Sequence, residues 1–254
     1  MPSRRVFQIT GSEAEEFLQG LVTNDISRLD PDQTGDGGGL VYAALLTPQG
    51  KYIADFFLAR QGGAILLDVD EALADALAKR LSMYKLRADV AISDSGLQVQ
   101  RGTGPAPEGA FRDPRHAALG WRAYSEAPES DDGTDWTALR VAHCIPETGI
   151  ELTPDTFILE AGFERLNGVD FRKGCYVGQE VTARMKHKTE LRKGLARVAV
   201  AGQAAPGTEI LAGEKAAGTL LSTAGDKGIA YLRFDRVAPE MQAGDARVSL
   251  DPVA

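Results

Sequence analysis

The order of apolar and polar positions divides the chain into a front part, where strands interleave with helices, and a back part of strands alone. "RVFQIT" (5–10) alternates as a short strand. Ser12 and Glu15 have the spacing of a capping box, and Phe17, Leu18 and Leu21 give the helix behind it an apolar face. "LVYAALLT" and "YIADFFLAR" are apolar runs joined by "PQGK", a hairpin with Pro48 and Gly50 as turn residues. "AILLDV" (64–69) reads as a further strand. Residues 70–86 place Leu73, Leu77, Leu81 and Tyr84 at helical spacing, and "ADVAIS" returns as a strand. Strands alternating with two helices in this order predict a ferredoxin-like α+β unit.

The middle of the chain reads differently. Residues 102–135 are rich in Gly, Pro, Ser and acid, and two loops there flank a short element, "HAALGWRAY". "TPDTFILEAGFERLNG" (153–168) predicts a helix, with Thr153 as cap, Pro154 in the first turn and Asn167-Gly168 at its end. After residue 192 short strands separated by glycine turns predict a small all-β domain, a barrel. The glycine cluster "GDGGG" (35–39) lacks the Lys-Ser/Thr that a phosphate loop needs.

Composition narrows the function classes. With 254 residues and 43% hydrophobic content the chain supports one large domain or two smaller ones. A net charge of −8 argues against general affinity for nucleic acid or anionic membranes. No apolar run reaches the roughly 18 residues of a membrane span. Two cysteines, Cys144 and Cys175, make neither a disulfide framework nor a zinc site, so no metal ligand set is expected. They fit a reducing compartment, and with no apolar leader the expectation is a cytoplasmic protein.

The candidate chemistry centres on "RKGCYVGQE" (172–180). Gly174 and Gly178 free the backbone around Cys175, Arg172 and Lys173 favour a thiolate, and the helix-compatible stretch after it adds a helix N-terminus nearby. The same residues are compatible with a small packed cysteine. Arg172, Lys173, Arg184, Lys186, Lys188, Arg192 and Lys193 form a local positive segment opposed by Glu180 and Glu190. It suits a polyanionic tail, a partner protein, RNA phosphates or a solvated helix face; no RNA-binding module accompanies it.

"KGCYVGQE" (173–180) resembles the signature of the YgfZ family, folate-binding proteins that support iron–sulfur enzymes and form a branch of the glycine-cleavage T-protein superfamily. "LNGVDFRKGCYVGQEVTAR", "ITGSEAEEFLQGLVTNDI" (9–26), "LLTPQGKYIADFFL" (45–58), "YKLRADVAISD" (84–94), "DPRHAALGWR" (113–122) and residues 216–233 extend the likeness in order over nearly the whole chain. The resemblance implies an α+β fold: a T-protein-like ring of ferredoxin-like and helical parts (1–191) followed by a C-terminal β-barrel (192–254). It implies a reduced folate such as tetrahydrofolate in a central cavity between body and barrel. Cys175 and Lys173 then stand as the reactive pair, with Gln179 supporting the loop or the folate. Trp136 is matched to a folate-lining tryptophan, Arg140 to a T-protein arginine, Asn24 and Asp25 to the "T-N-D" position, and Asp55 to the hairpin acid. Departures are visible: Ala54 replaces one of two T-protein aspartates, and Ala142 a glutamate.

The function implied is a folate-dependent accessory role in maturing iron–sulfur enzymes, including tRNA-modifying radical enzymes. The alternative is a tetrahydrofolate-dependent aminomethyl- or methyltransferase, and the loss at Ala54 counts against it. Expected partners are iron–sulfur assembly or client proteins, with direct tRNA contact left open, no membrane, and a monomer.

Overall fold

A computed structural model describes residues 3–30, 39–128, 132–188 and 191–252, to which all structural statements apply. Residues 35–38 of the glycine cluster fall outside that range. The chain divides into two compact units, one of residues 1–134 with Glu164–Val181, the other of Asp135–Phe163 with residues 182–254.

The first unit is built on an antiparallel sheet in the order β2-β3-β4-β1-β5. Its strands are β1 (Arg4–Thr10), β2 (Leu40–Leu46), β3 (Tyr52–Gln61), β4 (Ala64–Asp70) and β5 (Ala91–Asp94). The helices α1 (Ala14–Gln19) and α2 (Glu71–Lys85) lie between them in sequence. Removing β2 leaves the strand order of a ferredoxin-like unit, as the alternation predicts. One face of the sheet, with Val41, Ala43, Phe56, Leu58, Leu67 and Ile9, is buried against Leu18, Leu77 and Leu81 of the helices. The capping box does not form. Ser12 instead gives both its backbone N and its Oγ to Asp89 Oδ2, at 3.1 and 2.7 Å, while Glu15 pairs with Arg60 at 2.5 Å. A stronger acceptor across the unit captures the hydroxyl that would have capped α1.

The opposite face of the sheet carries charge. Arg4 and Arg122 both bind Asp68, at 2.6 and 2.9 Å, and Arg115 binds Asp113 at 2.7 Å. Their guanidinium carbons sit 5.7, 4.0 and 4.7 Å from the centroid of the buried Phe57 ring. Burial alone would raise the Asp68 carboxyl, but the charges of Arg4 and Arg122 outweigh it and hold it below its ordinary range. Arg115 immediately precedes, and Arg122 belongs to, the short element expected between the two loops. Its β8 (Trp121–Ser125) joins β6 (Gln98–Gly102) and β7 (Phe111–Arg112) in a second small sheet, in the order β6-β8-β7. Strands this short leave little periodicity to read.

In the second unit α3 (Trp136–Ala142) precedes a closed barrel, in the order β10-β11-β12-β9-β14-β13. Its strands are β9 (Lys193–Ala201), β10 (Glu209–Ala212), β11 (Lys215–Ala224), β12 (Lys227–Arg233), β13 (Met241–Ala243) and β14 (Ala246–Leu250). Val198, Ile210, Leu220, Leu232 and Val248 fill its interior. The helix expected over 153–168 is absent; the segment is a run of turns. Gly162 at φ 78 and Asn167 at φ 53 cannot continue a right-handed helix. The Glu160 carbonyl accepts from Leu195 N at 2.7 Å, so a barrel strand takes an acceptor that a helix would have used. The final helix, α4 (Gln179–Lys188), follows the cysteine motif.

Candidate functional site

The cysteine loop is fixed on both sides of an open thiol. Ahead of it, Asp170 Oδ1 accepts from the backbone N of Arg172 and Lys173 at 2.6 and 3.2 Å, and Arg28 binds its other oxygen. Asp170 N in turn donates to the Thr23 carbonyl at 3.0 Å. Lys173 is 7% exposed, and its Nζ donates to the carbonyls of Gln19, Val22 and Asn24 at 2.8, 2.6 and 2.9 Å. Burial lowers its pKa to about 8, against the opposing charges of Asp25 and Asp170. All three ammonium protons are therefore committed to the last residue of α1 and the loop that follows it.

Behind the thiol, Tyr176 is buried and Val177 packs on the sheet core. Gly178 adopts φ 84, and a Cβ there would meet the Thr47 carbonyl at 2.5 Å, so the backbone is wedged against the hairpin turn between β2 and β3. Gly50 of that turn is matched to Val181 in the same way, with a Cβ falling 2.8 Å from the valine's Cβ. Gly174, by contrast, has open space where a Cβ would go. Cys175 is exposed, whereas Cys144 is buried at a backbone φ of 50.

Four of the sequence-derived candidates meet here. Asn24 is buried; its Nδ2 donates to the carbonyls of Tyr42 and Asn167 at 2.8 and 2.7 Å, and its Oδ1 accepts from Asp25 N at 2.9 Å. Asp25 Oδ1 accepts from Ser27 N at 3.0 Å and Gln19 Nε2 at 3.1 Å. Partial burial would raise the Asp25 carboxyl; these bonds and the Lys173 charge outweigh it and lower it. Asp55 is 5% exposed and accepts the hydroxyls of Tyr42 and Tyr52, at 3.0 and 2.7 Å. Lys173, Asn24, Tyr42 and Asp55 thus form one connected run of bonds.

The other candidates are carried by α3 and α4. Gln179 opens α4, its N donating to the Tyr176 carbonyl at 3.2 Å. Trp136 and Arg140 lie on α3, which Asp135 caps through Ala138 N at 2.9 Å. Trp136 is half-buried. Arg140 is committed: Nη1 reaches both oxygens of buried Glu151 at 3.0 Å, Nη2 donates to Ser222 Oγ at 2.7 Å, and Nε lies 2.8 Å from Glu147.

These residues fit a folate unevenly. Trp136 offers the aromatic face that a pterin or benzoyl ring stacks on. Arg140 and Asn24 have their donors engaged within the chain. These engagements leave neither side chain available to clamp a carboxylate or a pterin edge.

Several contributors were missed by reading the sequence. Asp170 carries a legible signal, since an aspartate two and three residues before backbone donors is an Asx-turn pattern. Thr23, whose Oγ1 donates to the Gly168 carbonyl at 2.7 Å and accepts from Ala44 N at 2.8 Å, has none beyond its place in "TND". Tyr52 and Asp55 are three apart, which a regular strand puts on opposite faces. The pairing of β2 with β3 shifts register between Leu45 and Leu46, and that irregularity accompanies their contact.

Residues 192–253 match the family model described as CAF17, C-terminal beta-barrel domain. The iron–sulfur cluster assembly factor IBA57 of Mus musculus, a mitochondrial protein, is 31% identical over 282 residues, covering 93% of this chain and 77% of its own. The mitochondrial IBA57 homologue of Mycosarcoma maydis is 33% identical over 219 residues, covering 76% of this chain and 54% of its own. The chain thus spans about half the length of that fungal relative. Among solved structures, the aminomethyltransferase T of the Bartonella henselae glycine cleavage system superposes with a TM-score of 0.75 at 13% identity, covering 98% of this chain and 83% of its own. The α+β body with a terminal barrel is therefore the fold of this protein.

Two expectations change. The relatives are IBA57 proteins, in a branch related to YgfZ rather than YgfZ itself. The cytoplasmic expectation is overturned, because these relatives are mitochondrial. Reduced cysteines distinguish reducing from oxidising surroundings, not the cytosol from a reducing organelle.

Proposed function

Because the chain belongs to the IBA57 family of iron–sulfur cluster assembly factors, we propose that it serves the maturation of iron–sulfur proteins through the thiol of Cys175, with a reduced folate as its small-molecule ligand. The observation that carries this reading is a thiol left exposed on a loop that is locked on both sides. A packing cysteine would be buried, as Cys144 is. A loop whose neighbours are all committed presents its one open side chain at low entropic cost to a partner. Clusters are usually held by four thiolates, so a single thiol acts together with groups from another protein, as a transient ligand of a cluster in passage that takes the place of one partner thiolate and later gives it back.

Lys173 and Asp170 hold the loop, Asn24 and Asp25 hold the segment that Lys173 grips, and Gln179 starts the helix beyond. Trp136 is the stacking wall for the folate, with Arg140 orienting α3 beneath it and Asp55 fixing the hairpin against which Gly178 rests. In this reading residues 1–191 are the T-protein-like body and 192–254 the barrel domain. Assembly factors and their client enzymes, tRNA-modifying radical enzymes among them, are the partners.

The test is a deletion strain complemented with the wild-type chain, Cys175→Ala or Cys175→Ser, assayed for the activity of iron–sulfur enzymes. Loss in both variants at wild-type protein levels is expected. Full activity with Cys175→Ala sinks the thiol reading and leaves a folate-binding interaction module.

A further inference from the structure

The second half of α2 carries an exposed surface that the fold does not use. Ala74, Leu77 and Leu81 bury the inner face of the helix in the sheet core. On the outer side Lys79, Arg80 and Met83 share a stripe at helical spacing, and Leu86 and Arg87 follow in the turn that ends the helix. Met83 is 69% and Leu86 86% exposed.

Leu86 stands in an unusual conformation, at φ 47 and ψ −101, with Ala88 N donating to the Lys85 carbonyl at 2.7 Å. Those angles match the first central position of a type II′ turn, which glycine normally fills. A leucine there is strained and gains nothing from burial.

The charges around it lean positive. Of the nearby acids Asp75 is paired with Arg5, while Asp89 and Glu13 stay charged and are held by hydrogen bonds from Ser12 and from Asp89 N. Lys85 donates to the Val90 carbonyl at 2.7 Å. Lys79, Arg80 and Arg87 enter no hydrogen bond or ion pair among the described residues. Three cations free of such partners therefore flank, along the chain, two exposed aliphatic side chains on a protein of net charge −8.

We propose that this surface docks an acidic segment of a partner protein, with Met83 and Leu86 covering an apolar side chain of that segment and Lys79, Arg80 and Arg87 meeting its carboxylates. Opposite charge around a small apolar centre is the arrangement of a protein interface rim and core. Nucleic acid is disfavoured by the overall negative charge and by the lack of an exposed ring for bases to stack on, since Tyr84 packs against the core. Two aliphatic side chains are too small an apolar face for a membrane-surface helix. The surface involves neither the folate nor the thiol, and it stands or falls apart from that reading.

The experiment is fluorescence anisotropy of the full chain with a labelled peptide of glutamates and aspartates around one leucine. The same peptide with serine for leucine, a labelled single-stranded RNA and phosphatidylserine vesicles are run beside it. Saturable binding of the leucine peptide is expected, weakened roughly tenfold by the combined Lys79→Glu, Arg80→Glu and Arg87→Glu changes, and unchanged by Lys215→Glu on the barrel. Leu86→Gly should weaken binding while holding or raising the melting temperature, because glycine relieves the turn; a merely structural leucine would not separate the two. No saturable binding, equal binding to the charge-reversed chain or to the serine peptide, or preference for RNA or vesicles overturns the proposal.

Discussion

At Lys173 the fold spends a charged side chain on backbone carbonyls. Replacing it with methionine keeps the length and removes the donors, leaving the carbonyls of Gln19, Val22 and Asn24 without them. The expected cost is about 2–4 kcal/mol, since each stranded buried acceptor forfeits roughly 1–3 kcal/mol and the loop relaxes in part. Urea unfolding of the variant checks it. The pH dependence has a definite sign. The folded chain releases this proton near pH 8, whereas an ordinary lysine releases it near 10.5. Between those values the unfolded chain binds the extra proton, so this group's contribution to stability rises with pH across that window. The difference in unfolding free energy between wild type and Lys173→Met should therefore grow from pH 7.5 to pH 9.5, a range chosen to straddle the shifted value near 8. A flat difference refutes the depressed value. From the sequence Lys173 reads as a charge beside the thiol. Its grip on the segment after α1 was illegible, because 149 residues separate it from Asn24.

At the level of elements, the β2–β3 turn and the start of α4 fit together through glycine. Gly178 needs both its positive φ and its missing Cβ. Gly178→Ala should destabilise by about 1–3 kcal/mol through backbone strain, and more where the Thr47 carbonyl cannot retreat. Gly174→Ala has no such contact and should stay within roughly 0.5 kcal/mol of wild type. Equal losses in chemical denaturation would show that the two glycines share one role. The motif's spacing does not separate them; only the turn that Gly178 meets does. The same contrast explains which elements were legible. β1 to β4 and α2 announce themselves by apolar runs and helical spacing of seven residues or more, and the barrel by repeated glycine turns between its strands. The segment 153–168 carries a good cap and a good stop, yet its carbonyl at Glu160 is claimed by β9, a contact that no local pattern encodes. The sheet of β6, β7 and β8 has strands of two to five residues, too short for alternation to stand out.

For the molecule as a whole, the question is whether a T-protein-like fold carries T-protein chemistry in this chain. Similarity at 13% identity conveys architecture only, so the chemistry rests on the residues. A carboxylate that manages a proton at a folate nitrogen must reach the substrate. Asp55 is 5% exposed and its two oxygens each accept a tyrosine hydroxyl, at 2.7 and 3.0 Å. Ala54, where a second acid would be, is fully buried. The wild-type chain should therefore release neither ammonia nor methylene-folate from an aminomethylated carrier at a rate comparable with a genuine aminomethyltransferase. Folate binding does not need that proton transfer, so the two properties come apart. Calorimetry with tetrahydrofolate should show saturable binding, and Trp136→Ala should weaken it by about 0.5–1.5 kcal/mol beyond the loss of buried area, the worth of an aromatic stack. Arg140→Met should weaken it less directly: it strands buried Glu151, so its effect should appear first as lower stability. Binding that is lost with Arg140→Met at unchanged stability would make the arginine a direct clamp. No binding by the wild-type chain would remove folate from the account and leave the exposed thiol to stand alone.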